Sequence, residues 1–213
     1  MPLRLHLILR VYLRVLGGFA VLSLPIRMAT TNPPAYIDPT MGVVLIGYRG
    51  SGKTTIGRLL ADRLGKSFID CDALIVKKAA RSIREIFLTG GEEEFRKIEM
   101  TVIAENAVKD CVIAVGGGAI IRKENQLALQ NAGHHMVYLR CDAHELLRRI
   151  QGDPGTSDNR PSLTSLGGGI EEIQAVLEQR EPIYKALMSA EIDVTTLSPV
   201  QTVDRLEKLI GND

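Results

Sequence analysis

The sequence predicts an α/β domain of three layers, a five-stranded parallel sheet between two layers of helices. Three observations predict it. From Gly42 onward, short apolar runs alternate with amphipathic stretches, the pattern of repeated strand–helix units. The runs Val43-Val44-Leu45-Ile46 and Val112-Ile113-Ala114-Val115 have no polar alternation, as expected of strands buried on both faces of a parallel sheet. The chain has 213 residues, 45% hydrophobic and 24% charged, enough to bury a core without disulfide or metal staples.

The elements follow in order. Val43–Ile46 is the first strand. Lys53–Leu64 has helical spacing, with Ile56, Leu59, Leu60 and Leu64 on one face. Ser67–Asp70 is a second strand. Helical stretches follow at Ala73–Ala80, Ile83–Leu88 and Glu92–Lys109, the last opening with acids that suit the positive end of a helix dipole. Val112–Val115 is the third strand, ended by Gly116-Gly117-Gly118, and Met136–Leu139 the fourth. Asp142 is placed to cap a helix running to Ile150, with Glu145 at capping-box spacing. A loop rich in Gly, Asp, Ser, Thr and Pro spans Gln151–Gly169. Helix resumes from Ile170 to about Ala190, interrupted near its middle by Pro182. Ile192–Val194 is the fifth strand, and Pro199 opens a final helix to Ile210.

Residues 1–40 read differently, as a basic, apolar leader and linker ahead of a domain at 41–213. Residues 1–37 hold four arginines and no acid. Val15–Ile26 is twelve residues without charge, too short to span a bilayer, which takes about 20. Three readings fit: a signal-peptide core, an organelle transit peptide poor in Ser, or an upstream start codon read through, with Met28 and Met41 as alternative starts. Thr30–Pro39 is a Pro-rich linker. Net charge is +1, aromatics are 4% and Trp is absent, which argues against a nucleic-acid surface or a base-stacking platform. Cys71, Cys111 and Cys141 are odd in number and lack CxxC spacing, which favours a reducing compartment, the cytoplasm. Cys71 reads as a packed residue, and the four histidines have no metal-ligand spacing.

Gly47-Tyr48-Arg49-Gly50-Ser51-Gly52-Lys53-Thr54 fits the G-x-x-x-x-G-K-[ST] phosphate-binding loop, with a strand before it and a helix after. Gly47, Arg49, Gly50, Ser51, Gly52, Lys53, Thr54 and Thr55 are the candidate nucleotide contacts. The glycines let backbone N–H groups turn toward phosphate oxygens at a helix N-terminus. Lys53 can reach the β- and γ-phosphates and the Thr54 hydroxyl can ligate Mg²⁺. Asp70-Cys71-Asp72 ends the second strand, on the side of a parallel sheet where ligands bind. Read as extended chain, Asp70 and Asp72 point to one side. One carboxylate can then assist Mg²⁺ while the other accepts a hydrogen bond from an attacking hydroxyl; strand-end solvation, or helix capping by Asp72, fits equally. Arg96, Arg160 and Arg180 occupy unlike settings. A guanidinium can grip a carboxylate or steady a moving phosphoryl group, although each arginine alone is more often a solvated surface residue. Glu99 is spaced to hold Arg96. The third strand lacks the metal-binding Asp common at that point, and its three glycines allow a ligand to press against the backbone.

The ordered set resembles shikimate kinases, of the P-loop nucleoside-monophosphate-kinase-like group. It comprises the Gly47–Thr54 loop, Phe68-Ile-Asp70-Cys-Asp72, Gly91-Glu92-x-x-Phe95-Arg96-x-x-Glu99, Gly116–Gly118, Asn159-Arg160-Pro161 and Arg180-Glu181-Pro182-x-Tyr184. The resemblance spans Val43 to about Leu209. It implies transfer of the ATP γ-phosphoryl group to the 3-hydroxyl of shikimate, with Mg²⁺, in chorismate and aromatic amino-acid synthesis. By position, Lys53, Asp72 and Arg160 would be catalytic, and Thr54 and Asp70 would hold the metal. Arg96 and Arg180 would clamp the shikimate carboxylate, Gly117 and Gly118 would line that site, and Phe87 and Phe95 would form its apolar wall. Arg149 and Pro199 would lie at the adenine, where the usual Asp-Thr is here Asp193-Val194. Arg160 would close on the phosphates from a mobile lid at about 151–169. A monomer is implied, with a small-molecule substrate, no nucleic-acid partner and no stable membrane span. Two alternatives share part of this pattern: another small-molecule kinase of gluconate- or nucleotide-kinase type, and a nucleotide-binding module without turnover.

Overall fold

The central strand of the sheet is the one that precedes the phosphate loop. In the computed structural model, which describes residues 8–15, 18–25, 38, 41–107, 110–153, 167 and 169–210, strands β3 (Val43–Ile46), β4 (Ser67–Asp70), β5 (Cys111–Ala114), β6 (His135–Arg140) and β7 (Ala190–Asp193) form one sheet ordered β4-β5-β3-β6-β7. Every pairing is parallel, with Val43 opposite both Val112 and His135. Separately, β1 (Ile8–Val15) and β2 (Gly18–Pro25) pair antiparallel within a unit covering Met1–Pro33, apart from the unit covering Pro34–Asp213.

Alternation along β3 sends side chains to both faces, so the sheet carries two cores. Val43 and Leu45 pack with α1 (Lys53–Leu64), α5 (Ala143–Gln151) and α7 (Pro199–Ile210). Val44 and Ile46 pack with α2 (Cys71–Ala79), α3 (Ile83–Asn106) and α4 (Lys123–Asn131). The remaining long helix, α6 (Ile170–Leu187), contributes Ile173 and Val176 to the first core and Tyr184 to the second. This is the expected three-layer arrangement, with helices on both faces.

Several local expectations need correction. One stands: the two helices expected at Ile83–Leu88 and Glu92–Lys109 are present within the span α3, separated by non-helical Gly91 (φ 70°, ψ −172°); residues 108 and 109 lie outside the described residues. Pro182 does not interrupt α6. It removes one ladder hydrogen bond, but Tyr184, fully buried beyond it, holds the helix in register. Glu145 does not complete a capping box. Asp142 accepts from the His144 N–H, while Glu145 binds the guanidinium groups of Arg148 and Arg149. The sequence reading left α4 and the short 3₁₀ turn Ala119–Ile121 without assignment. No helix among the described residues is long and apolar enough to cross a membrane. Cys71, Cys111 and Cys141 are buried and form no disulfide among the described residues, and burial pushes the Cys71 thiol far up, as befits a packed residue.

Candidate active site

The strand β3 ends in a loop that leaves the α1 N-terminus open. Gly52 caps α1 in the left-handed region (φ 90°) with no side-chain cap, so the leading N–H groups face the cleft, a geometry that attracts anions. The Lys53 ammonium folds back over the loop, donating to the carbonyls of Gly47 (2.9 Å) and Tyr48 (2.7 Å). Ser51 is buried beneath it. The Arg49 guanidinium turns into the protein, where it donates to Glu172 Oε1 at 3.0 Å; both side chains are buried.

Asp70 and Asp72 share the cleft for a different reason from strand alternation. Only Asp70 is in the strand. Its Oδ1 caps α2 by accepting from the N–H groups of Asp72 and Ala73, and its Oδ2 accepts from Thr54 Oγ1 at 2.7 Å. Asp72 stands in the first turn of α2. The helix-capping role foreseen for Asp72 therefore falls to Asp70. Thr54 and Asp70 bring a hydroxyl and a carboxylate together at the mouth of the loop, hard oxygen donors that fit Mg²⁺ beside phosphates. Among the described residues there is no cluster of three or more His, Cys, Asp or Glu able to hold a metal by itself.

A cavity of ≈ 670 Å³ is lined by Arg49, Gly50, Gly52, Lys53, Thr54, Thr55, Asp70, Asp72 and Arg149, among others. A second, of ≈ 540 Å³, shares Gly50, Gly52, Thr55 and Arg149 and extends along Val194–Pro199. Arg149 spans the two. It donates through Nε to Glu145 Oε1 at 2.7 Å and through Nη2 to the Val194 carbonyl at 2.7 Å. Hydrogen bonds from Arg148 and Arg149 hold the Glu145 carboxyl down at about 2. The Asp-Thr pairing absent from the sequence as neighbours reappears one residue apart, since Asp193 Oδ1 accepts from both the N–H and the hydroxyl of Thr195.

Arg96 and Arg180 do not line either cavity; both attach to the glycine turn after β5. Arg96 is buried, with Nη1 donating to Glu99 Oε2 at 2.8 Å and Nε and Nη2 to Glu92 Oε1. Burial pushes the Glu99 carboxyl above its ordinary range, against the pull of Arg96. A Cβ on Gly118 would lie 2.7 Å from Arg96 Nη2, and one on Gly116 would lie 3.0 Å from Glu99 Oε1 and 3.3 Å from Asp72 Oδ1. A Cβ on Gly117 would meet the phosphate loop itself, 3.2 Å from the Gly47 carbonyl oxygen and 3.3 Å from the Arg49 nitrogen. The Tyr184 hydroxyl donates to the Gly117 carbonyl at 2.6 Å, and the Arg180 charge lies near enough to act on that hydroxyl. Phe87 and Phe95 stack with ring centroids 4.9 Å apart, and Arg96 lies 5.2 Å from the Phe95 ring centre. Arg160 lies outside the described residues, as do Asn159 and Pro161.

Gly118→Ala is expected to push the tip of the Arg96 side chain and leave the backbone in place. Binding of an anionic acceptor against Arg96 should weaken about tenfold, equivalent to ~1.4 kcal/mol, with little change in Tm; ligand titrations and thermal melts check this.

Sequence reasoning missed Glu172 and the Tyr184 hydroxyl. A signal for Glu172 existed: it sits one turn before Val176, on the apolar face of α6 that also carries Ile173, and an acid on a buried face calls for a buried cation.

A family model described as shikimate kinase matches residues 49–210. The chain is 38% identical over 166 residues to a shikimate kinase of Thermobifida fusca, covering 78% of this chain and 92% of that protein. It is 43% identical over 157 residues to a shikimate kinase of Mycobacterium ulcerans, covering 73% and 82%. Among solved structures, a shikimate kinase from Acinetobacter baumannii in complex with shikimate superposes with a TM-score of 0.73 at 30% identity, covering 79% of this chain and 92% of that one. A gluconokinase from Sinorhizobium meliloti shares the fold at a TM-score of 0.55 and 18% identity.

Proposed function

The chain belongs to the shikimate kinase family, and from that premise we propose how its residues divide the work of moving the ATP γ-phosphoryl group to the 3-hydroxyl of shikimate. It is an ATP-dependent kinase with shikimate as acceptor. One observation carries the assignment of residues: the Gly116–Gly118 turn touches the phosphate loop at Gly117, Asp72 at Gly116 and Arg96 at Gly118, so the phosphate cradle, the acid and a carboxylate-binding cation meet at one backbone segment.

In this reading the loop from Gly47 to Thr55 and the α1 N-terminus hold the ATP phosphates, and Lys53 swings from the loop carbonyls to the β- and γ-phosphates. Arg149 and Pro199 flank the adenine. Arg96 and Arg180 clamp the shikimate carboxylate beside Gly117 and Gly118, with Phe87 and Phe95 as the apolar wall. Asp72 accepts the hydrogen bond of the attacking 3-hydroxyl. Thr54 and Asp70 would hold Mg²⁺, which when bound neutralises phosphate charge. Arg160 closes from the lid onto the phosphates. Because the transition state of phosphoryl transfer is loose, most of the catalysis comes from positioning and charge neutralisation.

We assign residues 41–213 as the kinase domain and 1–40 as a leader and linker outside it; the family match beginning at residue 49 supports this, while the compact unit itself begins at Pro34. A cytoplasmic monomer is the state we propose; three buried thiols outside any disulfide suit a reducing compartment.

The test is ADP release with shikimate, gluconate and nucleoside monophosphates as acceptors. Turnover only with shikimate is expected; turnover with another acceptor and not with shikimate overturns the reading. Asp72→Asn is expected to lower kcat about 10²-fold, the low end for a positioned acid–base group, because a loose transition state involves little proton transfer. Both KM values should change little, as steady-state kinetics would show.

A further inference from the structure

We infer that Tyr184 is a positioning residue for shikimate, acting through its hydroxyl, which holds the Gly117 carbonyl one helical turn from Arg180. The inference rests on the proposed carboxylate clamp and deepens it. Tyr184 is fully buried on α6, one turn after Arg180. Its ring stacks on Tyr138 with centroids 4.9 Å apart, and Tyr138 donates in turn to Glu181 Oε1 at 3.2 Å. The ring therefore has no freedom to swing, and its hydroxyl is delivered to one point. There it donates its single proton to Gly117 O at 2.6 Å, with the Arg180 charge near enough to act on it. A hydroxyl has this capacity and a phenyl ring has none.

Two consequences follow for the site. Arg180, half-buried and with its charge beside this hydroxyl, has fewer arrangements open to it, so less side-chain entropy is lost when a carboxylate binds. The Gly117 carbonyl is also fixed. Because a trans peptide is planar, its oxygen and the next N–H point in opposite directions. Holding Gly117 O toward α6 turns the Gly118 N–H to the other side. One hydroxyl thus sets both a side-chain donor and a backbone donor of the clamp. Lowered polarity around it supports this, as burial raises the Tyr184 hydroxyl to about 12 against the opposing charge of Arg180, so it remains a proton donor throughout the neutral range.

The experiment compares Tyr184→Phe, Arg180→Ala and the double variant by steady-state kinetics with both substrates varied. Tyr184→Phe keeps the stacked ring and deletes only the hydroxyl. The expected result is a rise in shikimate KM of about tenfold, with kcat and the ATP KM within about twofold of the parent. Arg180→Ala should raise the shikimate KM further, and adding Tyr184→Phe to it should raise KM by less than twice, because the two act as one unit. An unchanged shikimate KM in Tyr184→Phe beside a raised one in Arg180→Ala overturns the inference and leaves the clamp standing. An unchanged KM in Arg180→Ala overturns the clamp itself. Parallel loss of ATP binding in Tyr184→Phe also overturns the inference, since the hydroxyl would then serve the fold as a whole.

Discussion

Lys53→Ala is expected to lower kcat by about 10³-fold, the range seen when a preorganised cation facing a transferring phosphoryl group is removed. Two losses combine. The ammonium that would neutralise charge on the β- and γ-phosphates disappears. So does the pin that folds the loop, because Lys53 Nζ bridges the carbonyls of Gly47 and Tyr48. Without that pin the loop loses the shape that presents its N–H groups to phosphate. The ATP KM should therefore rise as well, by a smaller factor. The fold should survive, since Lys53 contributes nothing to either core cluster. Coupled ADP-release assays and far-UV circular dichroism of the variant check both statements; a kcat within tenfold of the parent would remove Lys53 from the catalytic set.

Arg96→Ala should raise the shikimate KM about 10²-fold, in line with loss of a charge-assisted, forked contact to a carboxylate, while the ATP KM stays near its parent value. It should also destabilise the protein by roughly 3–5 kcal/mol, the usual cost of leaving a buried charge without its counter-ion. The stranded charge is Glu99, whose side chain has no exposure. The pH dependence has a definite sign. Burial raises the Glu99 carboxyl in the folded chain above the 4.5 of an ordinary glutamate, and Arg96 opposes that rise. Without Arg96 the folded value climbs higher still. The folded state then holds a proton that the unfolded state has lost, so stability falls as pH rises from the unfolded value through the folded one. The variant should be less impaired near about pH 5 than near about pH 8. Urea unfolding at the two pH values measures this, and equal losses at both would contradict the buried Glu99–Arg96 pairing.

What the sequence showed and hid follows from how local each signal is. The phosphate loop is contiguous, and its strand and helix flank it directly, so Gly47–Thr55 could be placed without the fold. Glu99 was legible as the holder of Arg96 because three residues along a helix share a face. Asp70 and Asp72 were placed in the correct cleft by an argument that did not apply: the chain turns helical at Cys71, so the N-terminal geometry of α2, and not strand alternation, brings them together. The Arg49–Glu172 pair joins residues far apart in the chain and has no local pattern. The role of Gly117 depends on β5 lying beside β3, which brings the turn against the loop backbone; three glycines in a row announce only that something approaches closely. Helix α4 was missed because its buried residues are Asn125 and Leu129 alone, too thin a stripe to show a period.

The place of β3 in the sheet has a consequence for how the chain acquires its structure. The strand is the first of its sheet to be synthesised, yet its neighbours are β5 on one side and β6 on the other, so its hydrogen-bonding edges stay open until Val112 and then His135 have left the ribosome. Contacts of such sequence separation close slowly. The apolar segment Val43–Ile46 must therefore wait, unpaired, while the chain between it and β6 is made, which makes it the stretch where chaperone capture or misassociation of nascent chains would begin.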